Sequence, residues 1–168
     1  MENSKQMPIA VDPEGGEILS VVGGNYRVLI SGKQTNGAFS VIDMLIPPGN
    51  GPGPHAHSNF HESFYVVDGE VEVHSEAGSY KAKKGSFVLV PEGGVIHYFK
   101  NVSDNLAHLV CTVVPAGLEE FFEEIGEPTA LGEFLPPQQM DPESIKKLQA
   151  IAQRHRQVVY PPNFLDNK

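Results

Sequence analysis

Glycine and proline punctuate most of this chain, and their placement constrains the fold more than any other feature. The 17 glycines and 14 prolines fall between short apolar segments and form no low-complexity tract. Such spacing is typical of many short strands joined by turns. The sequence therefore predicts an all-β domain, with strands over 17–22, 26–31, 38–46, 61–67, 70–75, 79–82, 86–90, 95–100 and 105–114.

Several of these segments alternate between apolar and polar residues. Val71 and Val73 recur at every second position of the segment 70–74. One face of this strand should therefore be buried and the other wet. Asp68 and Gly69 come directly before it, and an Asp-Gly pair favours a tight turn with positive φ angles. We expect a hairpin between strands 61–67 and 70–75.

The last third of the chain changes to a helical pattern. Leu118, Phe121, Phe122 and Ile125 lie at i, i+3, i+4 and i+7, and Gly126 follows them. This spacing places them on one side of a helix.

A second helix should begin at Asp141, an N-cap residue followed by Pro142 and Glu143, and end near His155. Its apolar side would carry Ile145, Leu148, Ile151 and Ala152. We expect both helices to pack on the sheets as a lid or brace. The predicted organisation is one domain over 1–168, with a barrel at about 17–114 and a helical extension at about 115–168.

Charge and composition exclude several functions. Twelve Lys and Arg residues against 21 Asp and Glu residues give a net charge of −9, which opposes binding to nucleic acid or anionic lipid. No apolar stretch approaches the ~18 residues of a membrane span, and residues 1–10 do not resemble a secretory leader. We therefore expect a cytoplasmic protein. The single cysteine, Cys111, excludes an intrachain disulfide.

Four residues in two short stretches could hold a metal ion. His55 and His57 project to the same face of an extended segment, and Glu62 should join them from the next strand. His97 lies in a later strand, with Phe99 on its own face. Three imidazoles and one carboxylate suit a divalent transition metal (Fe, Mn, Ni, Co, Cu or Zn) better than Ca or Mg.

These stretches resemble the two cupin motifs. The first pattern, G-x5-H-x-H-x4-E-x6-G, is met by Gly49, His55, His57, Glu62 and Gly69. The second, G-x5-P-x-G-x2-H-x3-N, is met with one extra residue before the second glycine by Gly85, Pro91, Gly94, His97 and Asn101. The resemblance implies a cupin jelly-roll barrel of two facing sheets. It also implies that His55, His57, Glu62 and His97 bind a metal.

A looser resemblance, from about residue 40 to the end, is to the single-domain quercetinase-type cupins. It lies in the Pro-Gly run before His55, in residues 115–117 before a Phe-rich helix, and in the tail around 151–162. It implies a metal-dependent dioxygenase for an aromatic or enolisable small molecule such as a flavonol. Glu62 would be the catalytic residue that accepts the substrate's proton. Cupins commonly dimerise, and an open barrel edge invites pairing, so a homodimer is expected.

Other functions stay open on the sequence alone. The chain could be a non-catalytic module that binds a metal or small ligand, or a sugar isomerase or epimerase with a polar pocket. An aromatic substrate would instead need an apolar pocket. Seven residues could line such a pocket or could belong to the ordinary core: Met44, Phe60, Phe64, Phe87, Phe99, Phe121 and Phe122.

Several further residues have a structural and a functional interpretation. Glu62 could orient a histidine instead of binding metal. His61 has the opposite parity and should point away from the metal, with substrate contact or proton relay as its alternative. We expect structural roles for His74, His108 and His155, and Cys111 should behave as a small buried apolar residue.

Overall fold

The structure, a computed structural model, describes residues 7–166. Twelve strands and three helices occur in this part of the chain. Their bounds are β1 (Glu17–Val21), β2 (Gly24–Ile30), α1 (Gly32–Thr35), β3 (Ser40–Ile46), β4 (His55–His57), β5 (His61–Asp68), β6 (Glu70–Ser75), β7 (Gly78–Lys83), β8 (Phe87–Val90), β9 (His97–Lys100), β10 (Ala107–Val114), α2 (Leu118–Ile125), β11 (Glu127–Pro128), α3 (Pro142–Arg154) and β12 (Gln157–Val159).

The strands form two antiparallel sheets. The first has the order β11-β1-β2-β3-β10-β5-β8, and the second has the order β12-β4-β9-β6-β7. Alternate residues of the central strands, among them Ile42, Met44, Leu109 and Cys111, are buried in one apolar core. The all-β architecture of two sheets predicted from the sequence is confirmed, with the helices as minor elements.

The predicted hairpin at Asp68 and Gly69 is wrong. Strand β5 pairs with β10 and β8, whereas β6 pairs with β7 and β9 in the other sheet. The chain therefore crosses between the sheets at Gly69. Glycine is required there, since φ is 74° and a Cβ would lie 2.6 Å from the backbone oxygen of Leu106. Local turn chemistry fixed the backbone conformation but not the partner of the strand.

The sequence did not predict strands β4, β11 and β12. Strand β4 lies inside the Pro-Gly-rich stretch, where turn residues hid it. The segment after residue 114 is not purely helical, because β11 pairs with β1 in one sheet and β12 pairs with β4 in the other. Residues of the C-terminal segment thus extend both sheets.

Helix α2 begins and ends where the spacing predicts. Glu119 in its first turn is buried and accepts hydrogen bonds from the backbone N–H groups of Gly32 (2.6 Å) and Gly117 (2.9 Å). Burial alone raises the pKa of Glu119, but these and other hydrogen bonds outweigh it and the net pKa is lowered. The carboxylate ties the start of α2 to α1.

Helix α3 begins at the predicted cap, since the Asp141 side chain accepts a hydrogen bond from the Ser144 N–H at 2.7 Å. Ile151 and Ala152 are buried, but Ile145 is 41% exposed, so the apolar side is shorter than expected. Helices α2 and α3 pack against each other and join the apolar core. None of the described helices is long and apolar enough to cross a membrane.

The motif residue Asn101 holds loops together and does not belong to the metal cluster. Its side chain is fully buried and donates to the backbone oxygens of Ile46 (2.8 Å) and Asn105 (2.7 Å). Its own backbone bonds to Gly49 and Asn50. Asn101 therefore fastens the loop before β4 to the end of β9.

Candidate metal centre

The structure brings together the four predicted ligands. One donor atom from each of His55, His57, Glu62 and His97 lies within 4.8 Å of the others. His57, Glu62 and His97 are almost completely buried. Strands β4, β5 and β9 supply them, so the cluster joins both sheets inside the barrel.

Strand pairing explains why the histidines converge. His55 and His97 are directly opposite each other in the β4–β9 pair, and opposite residues share a face. The loop before β4 runs very close to β9. At Gly51, where φ is 149°, a Cβ would lie 2.1 Å from the backbone oxygen of Phe99, so only glycine fits.

Hydrogen bonds orient the imidazole rings. Nδ1 of His55 lies 2.9 Å from the Gly53 carbonyl oxygen, and Nδ1 of His97 lies 2.9 Å from the Val95 carbonyl oxygen. Each Nδ1 can donate to its carbonyl, which leaves Nε2 of the same ring as the metal-binding atom. Oε2 of Glu62 lies 3.0 Å from Nε2 of His57 and 3.2 Å from Nε2 of His97.

Burial and charge set the protonation states of the cluster. Burial lowers the pKa of His55 to about 4, so this imidazole is neutral at pH 7, as a ligand must be. Burial raises the pKa of Glu62, but hydrogen bonds from His57 and His97 outweigh it and hold the carboxyl ionised. Burial lowers the pKa of His97, yet the Glu62 carboxylate raises it further, for a net increase.

The residues present fit a divalent transition metal. Three imidazole nitrogens and an ionised carboxylate converge in a buried site, and two imidazoles already have carbonyl partners that fix the ligating nitrogen. These are the four residues that the resemblance to the cupin motifs implies as ligands. The same four residues leave the choice among Fe, Mn, Ni, Co, Cu and Zn open.

Cys111 is buried as expected, but it also contacts the cluster. Its thiol donates a weak hydrogen bond to Oε1 of Glu62, with Sγ and oxygen 3.6 Å apart. Burial, together with the Glu62 charge, raises the pKa of this thiol well above its usual value. Cys111 therefore stays a neutral donor.

The cluster opens into a cavity of about 90 Å³, with His55 and Glu62 in its wall. No lysine or arginine is among the described residues around it. The wall is lined by Val21, Val22, Tyr26, Met44, Pro52, Gly53, His55, Glu62, Phe99, Leu118, Phe121, Phe122, Ile125, Leu148, Gln157 and Val159.

Four of the seven predicted pocket residues line this cavity: Met44, Phe99, Phe121 and Phe122. Three do not, and these are corrections. Phe60 stacks on the His57 ring, with centroids 4.1 Å apart, and so supports a ligand from behind. Phe64 packs edge-on against Phe99, at 5.2 Å, in the core. Phe87 is 64% exposed on the outer face of β8.

The remaining histidines lie outside the cluster. His61 faces Glu92 at the surface, and its Nδ1 accepts a hydrogen bond from the Glu92 N–H. His74 stacks on Tyr98, with centroids 4.5 Å apart. His108 is bonded to Asp43.

His155 lies 2.7 Å from Glu124, a contact that joins the end of α3 to α2. This histidine therefore ties the two helices together.

Sequence reasoning missed two polar residues of the cavity wall, Tyr26 and Gln157. Tyr26 occupies an inward position of β2, so the alternation of that strand could have indicated it. Gln157 stands in a short run after a helix, and only the pairing of β12 with β4 brings it to the site. No local pattern marks it.

Comparison with known proteins finds a family match and one similar enzyme. Residues 42–113 match the cupin domain family. The chain is 25% identical to the quercetin 2,3-dioxygenase of Bacillus subtilis (strain 168) over 122 residues, which are 73% of this chain and 36% of that enzyme. The match thus spans only about a third of the relative.

Two solved structures share the architecture. Ectoine synthase from P. lautus is 26% identical, with a TM-score of 0.54, and the match covers 75% of this chain and 86% of that one. A predicted oxalate decarboxylase from Thermotoga maritima is 23% identical, with a TM-score of 0.55, and the match covers 65% of this chain and 99% of that one. The second likeness shows the fold alone.

Proposed function

Because the chain carries a cupin domain whose three histidines and one glutamate converge beside an apolar cavity, we propose that it is a metal-dependent dioxygenase. Its substrate is a small, uncharged, enolisable or phenolic compound. The relative from Bacillus subtilis supports the reaction class. The single observation that carries the proposal is the composition of the cavity wall, which joins the cluster to mostly aliphatic and aromatic side chains.

The cavity wall disfavours the other reactions performed by proteins of this fold. An anionic substrate such as oxalate or a sugar phosphate needs cationic partners once it leaves water, and the described wall has no lysine or arginine. A sugar needs many hydrogen-bonding groups, whereas Phe99, Phe121, Phe122 and Met44 are apolar. An uncharged guest with an apolar ring or short chain suits this wall best.

The size of the cavity narrows the substrate class. Drug-sized ligands occupy pockets of about 300–1,000 Å³, whereas this cavity measures about 90 Å³. A three-ring flavonol is therefore too large for the cavity in this conformation. We propose a one-ring phenol or a short hydroxyketone or diketone as the substrate.

Residues of the chain would divide the work as follows. His55, His57, Glu62 and His97 hold the metal, which when bound lowers the pKa of a substrate hydroxyl and supplies the chemistry with O₂. The Glu62 carboxylate, which lines the cavity, accepts the hydroxyl proton. Phe121 and Phe122 exclude water from the reacting carbons.

Elemental analysis and oxygen uptake test this proposal. The protein loaded separately with Fe, Mn, Ni, Co or Cu is assayed on phenols, hydroxyketones, diketones, flavonols and oxalate. We expect O₂ consumption on one of the small uncharged classes. Glu62→Gln should reduce the rate at least ~100-fold, and Glu92→Gln, at an exposed surface position, is the matched control.

Two outcomes would contradict the proposal. No O₂ uptake by any loaded form, together with tight binding of a panel compound, would make the protein a non-catalytic binding module. Turnover of oxalate in preference to the uncharged compounds would mean that the substrate is an anion and that the proposed substrate class is wrong.

We also propose that the protein is a cytoplasmic homodimer. Tyr65, Phe87 and Leu89 are 47%, 64% and 56% exposed on the outer face of the seven-stranded sheet, at its β8 edge. Exposed apolar residues beside an open edge favour pairing. Light scattering during size-exclusion chromatography should give twice the chain mass, and Phe87→Ser should shift the protein towards the monomer.

A further inference from the structure

Gln157 is a buried residue in the wall of the cavity, and its amide nitrogen has no partner. It is 4% exposed, and its Nε2 has no hydrogen-bond partner among the described residues. A buried donor without a partner is costly, and native structures rarely retain one without a reason. Its place in the wall indicates that a guest supplies the missing acceptor.

Strand pairing puts this amide beside the metal cluster. Gln157 is directly opposite His57 in the β12–β4 pair, so the two side chains lie on the same face. A guest whose hydroxyl reaches the cluster therefore has a second atom close to Gln157. Cβ atoms of directly opposite residues lie about 4.5–5.5 Å apart, so a guest with oxygens on neighbouring or alternate carbons can reach both side chains.

The other polar group in the wall is also a donor. Tyr26 is buried, and burial, with Cys111 and Glu62 nearby, raises the pKa of its hydroxyl, which stays protonated. The polar groups of the wall outside the cluster thus offer hydrogens, which matches a guest with accepting oxygens.

We propose that Gln157 is a substrate-binding residue that selects compounds with a second, hydrogen-bond-accepting oxygen next to the metal-binding hydroxyl. Hydroxyketones, 1,3-diketones and ortho-acyl phenols have this arrangement. The inference rests on the proposed function for the position of the hydroxyl. It also makes β12, outside the matched residues 42–113, part of the site.

A double-mutant cycle with two matched probes tests this role. The probes are 2′-hydroxyacetophenone and 2-ethylphenol, which differ in one carbonyl oxygen. Their affinities for the zinc-loaded protein are measured by calorimetry for the wild type and Gln157→Met, and oxygen is excluded so that no turnover occurs. Any chelation by the first probe occurs in both proteins and cancels in the cycle.

We expect the wild type to prefer 2′-hydroxyacetophenone and Gln157→Met to reduce this preference about tenfold. Gln153→Met, the same change at an exposed position, should leave it unchanged. The melting temperature of Gln157→Met should equal or exceed that of the wild type, since the variant removes an unpaired polar group. If Gln157→Met does not fold, Gln157→Leu replaces it as the test variant.

Three results would overturn the inference. The wild type could show no preference, or the preference could be the same in wild type and variant. Alternatively, Gln157→Met could weaken zinc binding and both probes equally, which would mean that the amide acts through His57. Oxygen uptake is measured separately. A failed dioxygenase assay with an intact probe preference would therefore contradict the proposed dioxygenase reaction but not the binding role of Gln157.

Discussion

The two ends of the cavity have different origins and different chemistry. The metal end is polar, and its ligands from His55 to His97 lie within the residues that match the cupin domain. The rest of the cavity wall, called the closing end, is mostly apolar. Its residues Phe121, Phe122 and Leu148 come from the C-terminal segment outside that match. The four candidate ligands and most of the apolar wall therefore come from different parts of the chain, and relatives can share the first without the second.

Removal of a ligand should have the largest effect and should be confined to the metal end. His97→Ala deletes one imidazole and leaves the buried Glu62 carboxylate with one fewer hydrogen bond. We expect metal affinity to fall at least ~100-fold, measured by elemental analysis and chelator competition. His74→Ala, which changes a histidine outside the cluster, should retain the metal.

Equal metal content in His97→Ala and the wild type would contradict the ligand assignment. It would also remove the contrast between the two ends of the cavity.

Truncation at the closing end should destabilise the protein without loss of metal. Phe122 is 8% exposed and packs edge-on against Tyr26, with centroids 5.1 Å apart. Phe122→Ala should lower the free energy of unfolding by about 3–5 kcal/mol, measured by denaturant titration. Phe134→Ala, at a 40% exposed position, is the control and should lower the free energy of unfolding much less.

Loss of metal from folded Phe122→Ala would show that the two ends are coupled. The metal ligands and the apolar wall would then not be independent.

Metal uptake should depend on pH through His97. The pKa of this imidazole is raised in the metal-free protein, so a proton must leave before the nitrogen can bind. Affinity should therefore fall about tenfold per pH unit as the pH drops below that pKa. His55, with a pKa of about 4, is already neutral and should not contribute to the pH dependence of metal affinity until the pH nears 4.

Chelator competition at pH 8, 7 and 6 measures this dependence. A flat profile would mean that His97 is not a ligand or that its proton is already absent.

The smallest effect should come from the outer side of α3. Ile145 is 41% exposed, whereas Ile151 on the same helix is 7% exposed. Ile145→Ala should change the free energy of unfolding by less than ~1 kcal/mol, and Ile151→Ala should cost about 2–4 kcal/mol. Equal losses in urea titrations would mean that α3 packs differently from the described arrangement.

Local rules predicted helices α2 and α3 and most strands, but not the short helix α1. Helix α3 begins at Asp141 because the cap is made by residues next to each other in the chain. The turn at Gly69 shows the limit of such rules, since its positive φ was predictable but its role was not. Which strands pair depends on contacts between distant residues, and β5 and β6 belong to different sheets.

The aromatic residues show the same limit within the site. Residues 87–90 are all apolar, so no alternation marks the inward side of β8, and Phe87 proved to be exposed. Phe60 and Phe64 are buried, yet they lie behind His57 and Phe99. Residue type alone therefore predicts neither the inward side of β8 nor access to the cavity.

By itself, the sequence predicted the all-β fold and the four candidate ligands, because strand alternation places His55 and His57 on one face and the resemblance to the cupin motifs adds Glu62 and His97. Only the tertiary structure decided what surrounds those donors. Gln157 reaches the cluster through pairing with a strand 100 residues earlier in the chain. Long-range packing of this kind leaves no trace in local sequence, since it depends on the whole fold.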